Sequence, residues 1–320
     1  MTRHMTSSTL ILAWEITRRC GLKCRHCRGA ARDCDYAGEF TTDECIRTID
    51  ALKEFAEPMI ILTGGEPLMR TDIHDVARHA TRRGCRVVLA TCGHLLTDEA
   101  AQRMKASGIM AVSVSLDAAS PEAHDAFRGV PGSYQKTVQG LERIKAAGIP
   151  FQINTTVSKL NVDELPQILG KAMELGASTA DFFFLVPSGR GAEIADLELE
   201  PAERDKALEW IAEQDRKAPI RVKTTCAPQY RRYIESEPGM RRSFRGCMGG
   251  RGFVFLSHTG QLQPCGFLDL PCGDLRAADF DFGRLYRESD VFKNMRRLNP
   301  FQGCPARAYA HTGDYLQVER

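Results

Sequence analysis

Residues 10–29 read LILAWEITRRCGLKCRHCRG, an apolar, β-prone run that passes directly into Cys20, Cys24 and Cys27, with three and then two residues between them. Three thiols are one short of a closed structural zinc site and leave one over in a disulfide framework. A cubane iron–sulfur cluster also takes four thiolates. If the chain supplies three, one iron keeps an open position for a small molecule. The alternative is a zinc site completed by His26 or by a distant residue.

The run at 10–15 opens a series. LILAWE (10–15), MIIL (59–62), RVVLA (86–90), MAVSVSL (110–116), FQINTTV (151–157) and ADFFFLV (180–186) alternate with helical stretches. Among these are TTDECIRTIDALKEFA, with a capping threonine, and SYQKTVQGLERIKAAG, ended by Gly148. Six strand-then-helix units predict a parallel sheet, because parallel neighbours need crossover connections. The count falls short of a closed eight-unit barrel, so the expectation is an α/β fold, an open, partial (β/α)6 barrel over residues 1–215. The three-cysteine loop then lies at the carboxyl edge of the first strand, where such folds bind ligands.

After residue 215 helices thin out and Cys, Gly and Pro become frequent; RGFVFLSHTGQLQPCG reads as a hairpin around a His-Thr-Gly turn. Residues 216–320 are therefore expected to form a smaller, loop-rich C-terminal domain held by something other than a large apolar core. Five of the twelve cysteines lie there: Cys226, Cys247, Cys265, Cys272 and Cys304. Clustered cysteines without an export signal point to metal ligation rather than disulfides. With no apolar run of about 20 residues, the chain is expected in the cytoplasm, not in a membrane. The net charge of +2 with 26% charged residues gives no reason to expect nucleic acid as a partner. Cys34, Cys45, Cys85 and Cys92 fit no ligand spacing, and the expectation for them is burial as small apolar residues.

The Cys-x3-Cys-x2-Cys triple after a first strand resembles the signature of radical S-adenosylmethionine (SAM) enzymes. ILTGGEPLMR, after the second strand, carries Gly64, Gly65, Glu66 and Pro67 and resembles the same family's GGEP stretch. The resemblance implies a [4Fe–4S] cluster on Cys20, Cys24 and Cys27 whose open iron is chelated by SAM. It also implies a 5′-deoxyadenosyl radical that takes a hydrogen atom from substrate, and a flavodoxin- or ferredoxin-type electron donor. GGEP would meet the methionyl amino group, and its glycines would let the backbone approach the ligand closely. Looser matches assign Thr91, beside Cys92 in place of the usual asparagine, and Ser115, Asp117 and Arg128 near the SAM carboxylate or ribose. Asn154 and Thr156 end the fifth strand, and Val186 and Pro187 follow the sixth near the adenine.

Cys247 and Cys265 flank the hairpin, with Gly260 four intervening residues before the second, and resemble the opening of the auxiliary-cluster domain called SPASM or of its shorter relative, twitch. Of the array that ends that domain only FQGCPARAYAHTGDYL remains, where Cys304 matches the last cysteine. The resemblance implies a second [4Fe–4S] cluster, the auxiliary one, on Cys247, Cys265, Cys304 and a fourth ligand, Cys226 or alternatively Cys272. Zinc is the other occupant to weigh.

CPARAYAHTGDYL, TTCAPQYRR and FLVPSGRG look like the branch that makes haem and haem d1 from sirohaem. A tetrapyrrole substrate is implied. The first reaction to expect is acetate removal from 12,18-didecarboxysirohaem to give iron-coproporphyrin; the second is oxidative decarboxylation of iron-coproporphyrin to haem, and haem d1 formation is a related third. Peptide modification is a further reading, although only about ten residues precede the first strand, too few for a peptide-recognition domain; a non-catalytic iron–sulfur or zinc protein is another. Substrate carboxylates need cations, for which Arg190, Arg231, Arg232, Arg241, Arg242, Arg245 and Arg307 are candidates. His258, His311 and Tyr309 are candidates for proton donation, and the histidines also for ligating a substrate iron; with Arg307, Tyr309 and His311 are the catalytic candidates.

Overall fold

In this computed structural model the described residues are 10–234 and 244–318; Arg241 and Arg242 lie outside them. Seven strands in chain order build a parallel array: β1 (Leu10–Thr17), β2 (Pro58–Gly64), β3 (Arg86–Thr91), β4 (Ala111–Ser115), β5 (Phe151–Val157), β6 (Thr179–Phe184) and β7 (Arg221–Thr225). Crossovers run through α1 (Thr42–Phe55), α2 (Ile73–Arg82), α3 (Asp98–Ala106), α4 (Pro121–Arg128), α5 (Ser133–Ala146), α6 (Leu165–Leu175) and α7 (Pro201–Lys217). Beyond β7 come the one-turn α8 (Arg231–Ile234), β8 (Phe253–Leu256), β9 (Leu262–Gln263), α9 (Phe282–Glu288), α10 (Asp290–Arg297) and α11 (Pro305–Thr312). The sheet order is β7-β6-β5-β4-β3-β2-β1-β8-β9.

The six expected strands are present, and the expected hairpin is the antiparallel β8–β9 pair. The sheet does not stop at residue 215, however. Arg221 to Thr225 (RVKTT) add a strand that escaped notice because Val222 is its one apolar residue. At the other edge β8 lies parallel to β1, with Ile11 opposite Phe253 and Trp14 opposite Leu256. Residues after 215 also own more apolar core than their composition suggests. Val254, Leu256, Leu275, Phe282, Tyr286 and Phe292 are buried in the same core as β1 and α1.

Alternation along each strand sorts the side chains onto two faces. Leu12, Trp14, Ile60, Leu62, Val112, Ile153, Phe182 and Val222 are buried with helix residues such as Ile49, Val76, Ile144, Ile168 and Leu208. The opposite positions, Met59, Ile61, Val88, Ala90, Gln152, Asn154, Thr156, Lys223 and Thr225, are half-buried. Helices therefore cover one face, and the other stays open as the concave side of a partial barrel. Helix α1 begins with a capping box, Glu44 N donating to Thr41 Oγ1 and Thr41 N to Glu44 Oε2.

Candidate metal centres and cofactor site

The three-cysteine loop leaves β1 and is clasped by two distant segments. From α4, the carbonyls of Phe127 and Arg128 accept from Arg25 N and Lys23 N at 3.0 and 3.2 Å. From the segment after β6, Arg190 N donates to Cys27 O at 3.0 Å, and the Arg190 guanidinium donates to the carbonyls of Cys24 and Ala31 at 2.9 and 2.7 Å. Arg190, a candidate for substrate carboxylates, is thus occupied in shaping the loop.

Each sulfur of the triple accepts one N–H: Cys20 Sγ from Leu22 N at 3.4 Å, Cys27 Sγ from Ala31 N at 3.4 Å, and Cys24 Sγ from Arg128 Nη1 at 3.6 Å. Such donors favour the thiolate that a metal ligand must be. Without a metal, burial pushes the Cys20 thiol up to about 12. The donor set fits a cluster held by three thiolates. His26, the zinc alternative's extra ligand, stacks on Phe127 with ring centroids 4.6 Å apart. Burial lowers its pKa to about 4, which keeps the ring neutral.

Gly64 and Gly65 lie against the root of the cysteine loop. A Cβ on Gly64 would lie 2.1 Å from Thr17 O, and one on Gly65 2.3 Å from Arg19 O. Gly65 N and Glu66 N donate to those same two carbonyls at 2.8 Å. The glycines let this turn pack backbone to backbone on the root of the cysteine loop. Pro67 starts a short 3-10 turn behind Glu66.

Glu66 is 1% exposed. Its carboxylate accepts from Cys92 N at 2.8 Å and Leu68 N at 3.1 Å, and the Thr91 hydroxyl stands 2.8 Å from both oxygens. Burial raises its pKa, opposed by these donors. Thr91 therefore turns to Glu66, and Cys92, expected in an apolar niche, packs half-buried among Cys20, Cys24 and Cys27. Asp117 and Arg128 form a buried pair at 2.5 Å. Asp117 Oδ1 also accepts from Thr156 N at 2.7 Å, tying the ends of β4 and β5. Ser115 and Asn154 are register partners on the open face. Val186, expected near adenine, is instead buried with Leu268, Met295 and Ala306 beside the second group of cysteines.

That second group is Cys226, Cys247, Cys265 and Cys304. Cys226, Cys265 and Cys304 share one apolar cluster. The thiols of Cys226 and Cys304 are hydrogen-bonded, which lowers the pKa of Cys304 and raises that of Cys226. Burial first, then the neighbouring Cys304 and Cys265, pushes the Cys247 thiol up to about 12. Cys265 Sγ accepts from Phe267 N at 3.5 Å. Cys304 is the N-cap of α11, where backbone N–H groups favour negative charge. Cys226 has a φ of 62°, a left-handed conformation that a non-glycine adopts at a cost. Cys272 stands apart and donates its thiol to Leu270 O. Cys45 and Cys85 are buried as expected, whereas Cys34 is exposed. Among the described residues, no three His, Cys, Asp or Glu side chains close on a point suited to a single metal ion.

The catalytic candidates are committed elsewhere. Arg307 is buried, donating to Glu198, Cys226 O and Leu185 O at 3.2, 3.2 and 2.9 Å. His311 pairs with the same Glu198 at 3.0 Å, and Tyr309 packs partly buried beside Cys304. His258 Nδ1 is 3.0 Å from the buried carboxylate of Glu15, which also takes Arg28 and Arg18 at 2.9 Å. That network, which no motif announced, holds the Glu15 carboxyl well below its usual range against the opposing effect of burial. The Arg28 guanidinium also lies 4.2 Å over the Phe255 ring, joining the loop of Cys27 to β8. Arg231 stacks on Phe301, Arg232 lines a cavity with Cys304 and His311, and Arg245 is exposed. Sequence reading also missed Asp181 and Lys223, 2.7 Å apart on the open face. An acid inside the otherwise apolar ADFFFLV was the available signal.

Comparison with known proteins agrees with this geometry. The pattern of the Radical SAM superfamily matches residues 14–172. An AdoMet-dependent heme synthase of Methanosarcina barkeri is 42% identical over 98% of this chain and 96% of its own, and one of Nitratidesulfovibrio vulgaris 40% over 97% and 90%. An Fe-coproporphyrin III synthase of Methanosarcina barkeri is 36% identical over 65% of this chain and 52% of its own. Among solved structures, Streptococcus suis SuiB bound to S-adenosylmethionine superposes with a TM-score of 0.76 at 14% identity, over 98% of this chain and 77% of that one. That likeness shows the fold. The chain belongs to the radical SAM superfamily, whose members hold a [4Fe–4S] cluster and SAM, and within it to the haem-forming branch.

Proposed function

We propose that this enzyme converts two propionate side chains of iron-coproporphyrin to vinyl groups, giving haem. Of the tetrapyrrole reactions that the sequence suggests, this is the second. One observation carries the choice: relatives named AdoMet-dependent heme synthase match 97–98% of the chain, whereas the match to an Fe-coproporphyrin III synthase spans 65% of it. Acetate removal is therefore the second reading.

When bound, the first cluster and SAM supply the radical that removes a hydrogen atom from each propionate. Carbon dioxide and one electron then leave as the vinyl forms. We propose that Cys226, Cys247, Cys265 and Cys304 hold the auxiliary cluster, the acceptor for that electron, and that residues 216–320 serve as its module while sharing the sheet. Cys20, Cys24 and Cys27 would hold the SAM cluster. Gly64, Gly65, Glu66, Pro67, Thr91, Ser115, Asp117, Arg128, Asn154 and Thr156 would surround SAM, with Glu66 as acceptor for its amino group. The open face supports the substrate class: apolar on β2 and β3, polar and charged on β5 to β7, as a flat ring with carboxylate arms requires. Among the described residues no helix is long and apolar enough to cross a membrane. A cytoplasmic site and a flavodoxin- or ferredoxin-type donor complete the proposal.

The test is anaerobic incubation of the reconstituted protein with SAM, dithionite and either iron-coproporphyrin III or 12,18-didecarboxysirohaem. Haem from the first, with two 5′-deoxyadenosines per haem, is the expected product. Turnover of the second alone would transfer the enzyme to acetate removal.

A further inference from the structure

Register places four polar residues in one row across the open face: Ser115 opposite Asn154, Asn154 opposite Asp181, and Asp181 opposite Lys223. Register partners point to the same side of a sheet, here the side without helices. Asp181, on that side, is 2% exposed. Its carboxylate takes Lys223 Nζ at 2.7 Å and the Thr225 hydroxyl at 3.0 and 3.2 Å. The Lys223 side chain keeps 33% of its surface accessible. An ammonium has three donors, and Asp181 engages only one side of it. By contrast the guanidinia of Arg28, Arg128, Arg190 and Arg307 are committed to carboxylates or main-chain carbonyls. They build the cysteine sites and leave the substrate's carboxylates to another cation.

We infer that Lys223, aimed by Asp181, binds a carboxylate of the tetrapyrrole on the open face of β7. The inference rests on the functional reading above. It has a further geometric basis: Lys223 is three residues before Cys226, so a carboxylate held there keeps the porphyrin edge beside the proposed electron acceptor. The lysine is a positioning residue for substrate, and Asp181 acts through it.

The experiment is an anaerobic Soret titration of the cluster-loaded protein with iron-coproporphyrin III. Lys223→Gln is expected to weaken binding about tenfold to a hundredfold, the loss of one charge-assisted contact. Lys223→Arg is expected to recover most of it. Because Lys223→Gln strands a buried carboxylate, the double variant Lys223→Gln with Asp181→Asn removes both charges together, and its iron and sulfide content reports on folding. It too is expected to bind weakly at full cluster content. Asp181→Asn alone keeps an oxygen that can aim Lys223 but removes the neutralising charge, and is expected to bind at least as tightly as the unaltered protein, an outcome that a merely structural pair would reverse. Double-variant binding within twofold of the unaltered protein, or weakening by Asp181→Asn equal to that of Lys223→Gln, overturns the assignment and leaves the functional reading standing. Failure of the unaltered protein to bind iron-coproporphyrin III overturns both.

Discussion

Arg190 Nε donates to the carbonyl oxygen of Cys24 at 2.9 Å across a sequence separation of 166. With Nη1 on Ala31 O, one side chain ties the middle of the loop that carries the first three thiols to the segment just after it. Arg190→Ala should cost about 2–4 kcal/mol through two lost charged hydrogen bonds. Iron analysis after reconstitution should show the first cluster depleted and the second retained. Full occupancy of both would mean that the loop shapes itself.

Gly65→Ala should act through packing. The added methyl lies 2.3 Å from Arg19 O and 2.4 Å from Arg18 O, both main-chain atoms that a rotamer change cannot move. A destabilisation of about 2–4 kcal/mol is expected, read as a lower thermal midpoint of the metal-free protein. An unchanged midpoint would contradict the backbone-to-backbone account of this turn.

Cys226 and Cys272 should separate cleanly. In a background where Cys20, Cys24 and Cys27 are replaced by alanine, the remaining iron is expected at about four atoms per chain, one cubane. Cys226→Ser should lower it and Cys272→Ser should not, since Cys272 donates to Leu270 O away from the other thiols. The reverse pattern would exchange the two cysteines' roles.

Acid should weaken the fold through His124. Its ring accepts from Asp117 N at 3.2 Å, and burial first, then the Arg128 charge, lowers its pKa from 6.5 to about 4. A base with a depressed folded value contributes full stability above pH 6.5 and loses it as pH falls toward 4. At about 1.4 kcal/mol per unit the loss approaches about 3 kcal/mol. His124→Asn keeps an acceptor without the titration, so urea midpoints between pH 7 and 4 should fall less steeply. Parallel slopes for the two proteins would remove His124 from the acid response.

Much of the architecture was legible because it depends on local pattern. The strands from LILAWE to ADFFFLV carry the β-prone residues that their buried face requires, and α1 announces itself through Thr41 and Glu44. Lys223 and its strand were not legible, since a strand whose open side is charged has no apolar run to betray it. Arg190, Arg307 and His258 were read as substrate groups because residue type alone cannot reveal a partner such as Ala31 O, Cys226 O or Glu15. Contacts over such separations are fixed by the fold. The packing of the GGEP turn was not legible either, as the carbonyls of Thr17 and Arg19 that confine Gly64 and Gly65 lie far off in the sequence.

The pairing of β8 with β1 bears on how the protein is made. Translation delivers the thiols within the first few dozen residues, but Arg190 comes far later and the second neighbour of β1 later still, at Phe253 to Leu256. A nascent chain leaving the ribosome would carry three unclasped cysteines through most of its synthesis. The cysteine loop and its strand therefore gain their full set of neighbours only once Arg190 and Phe253 to Leu256 have been made.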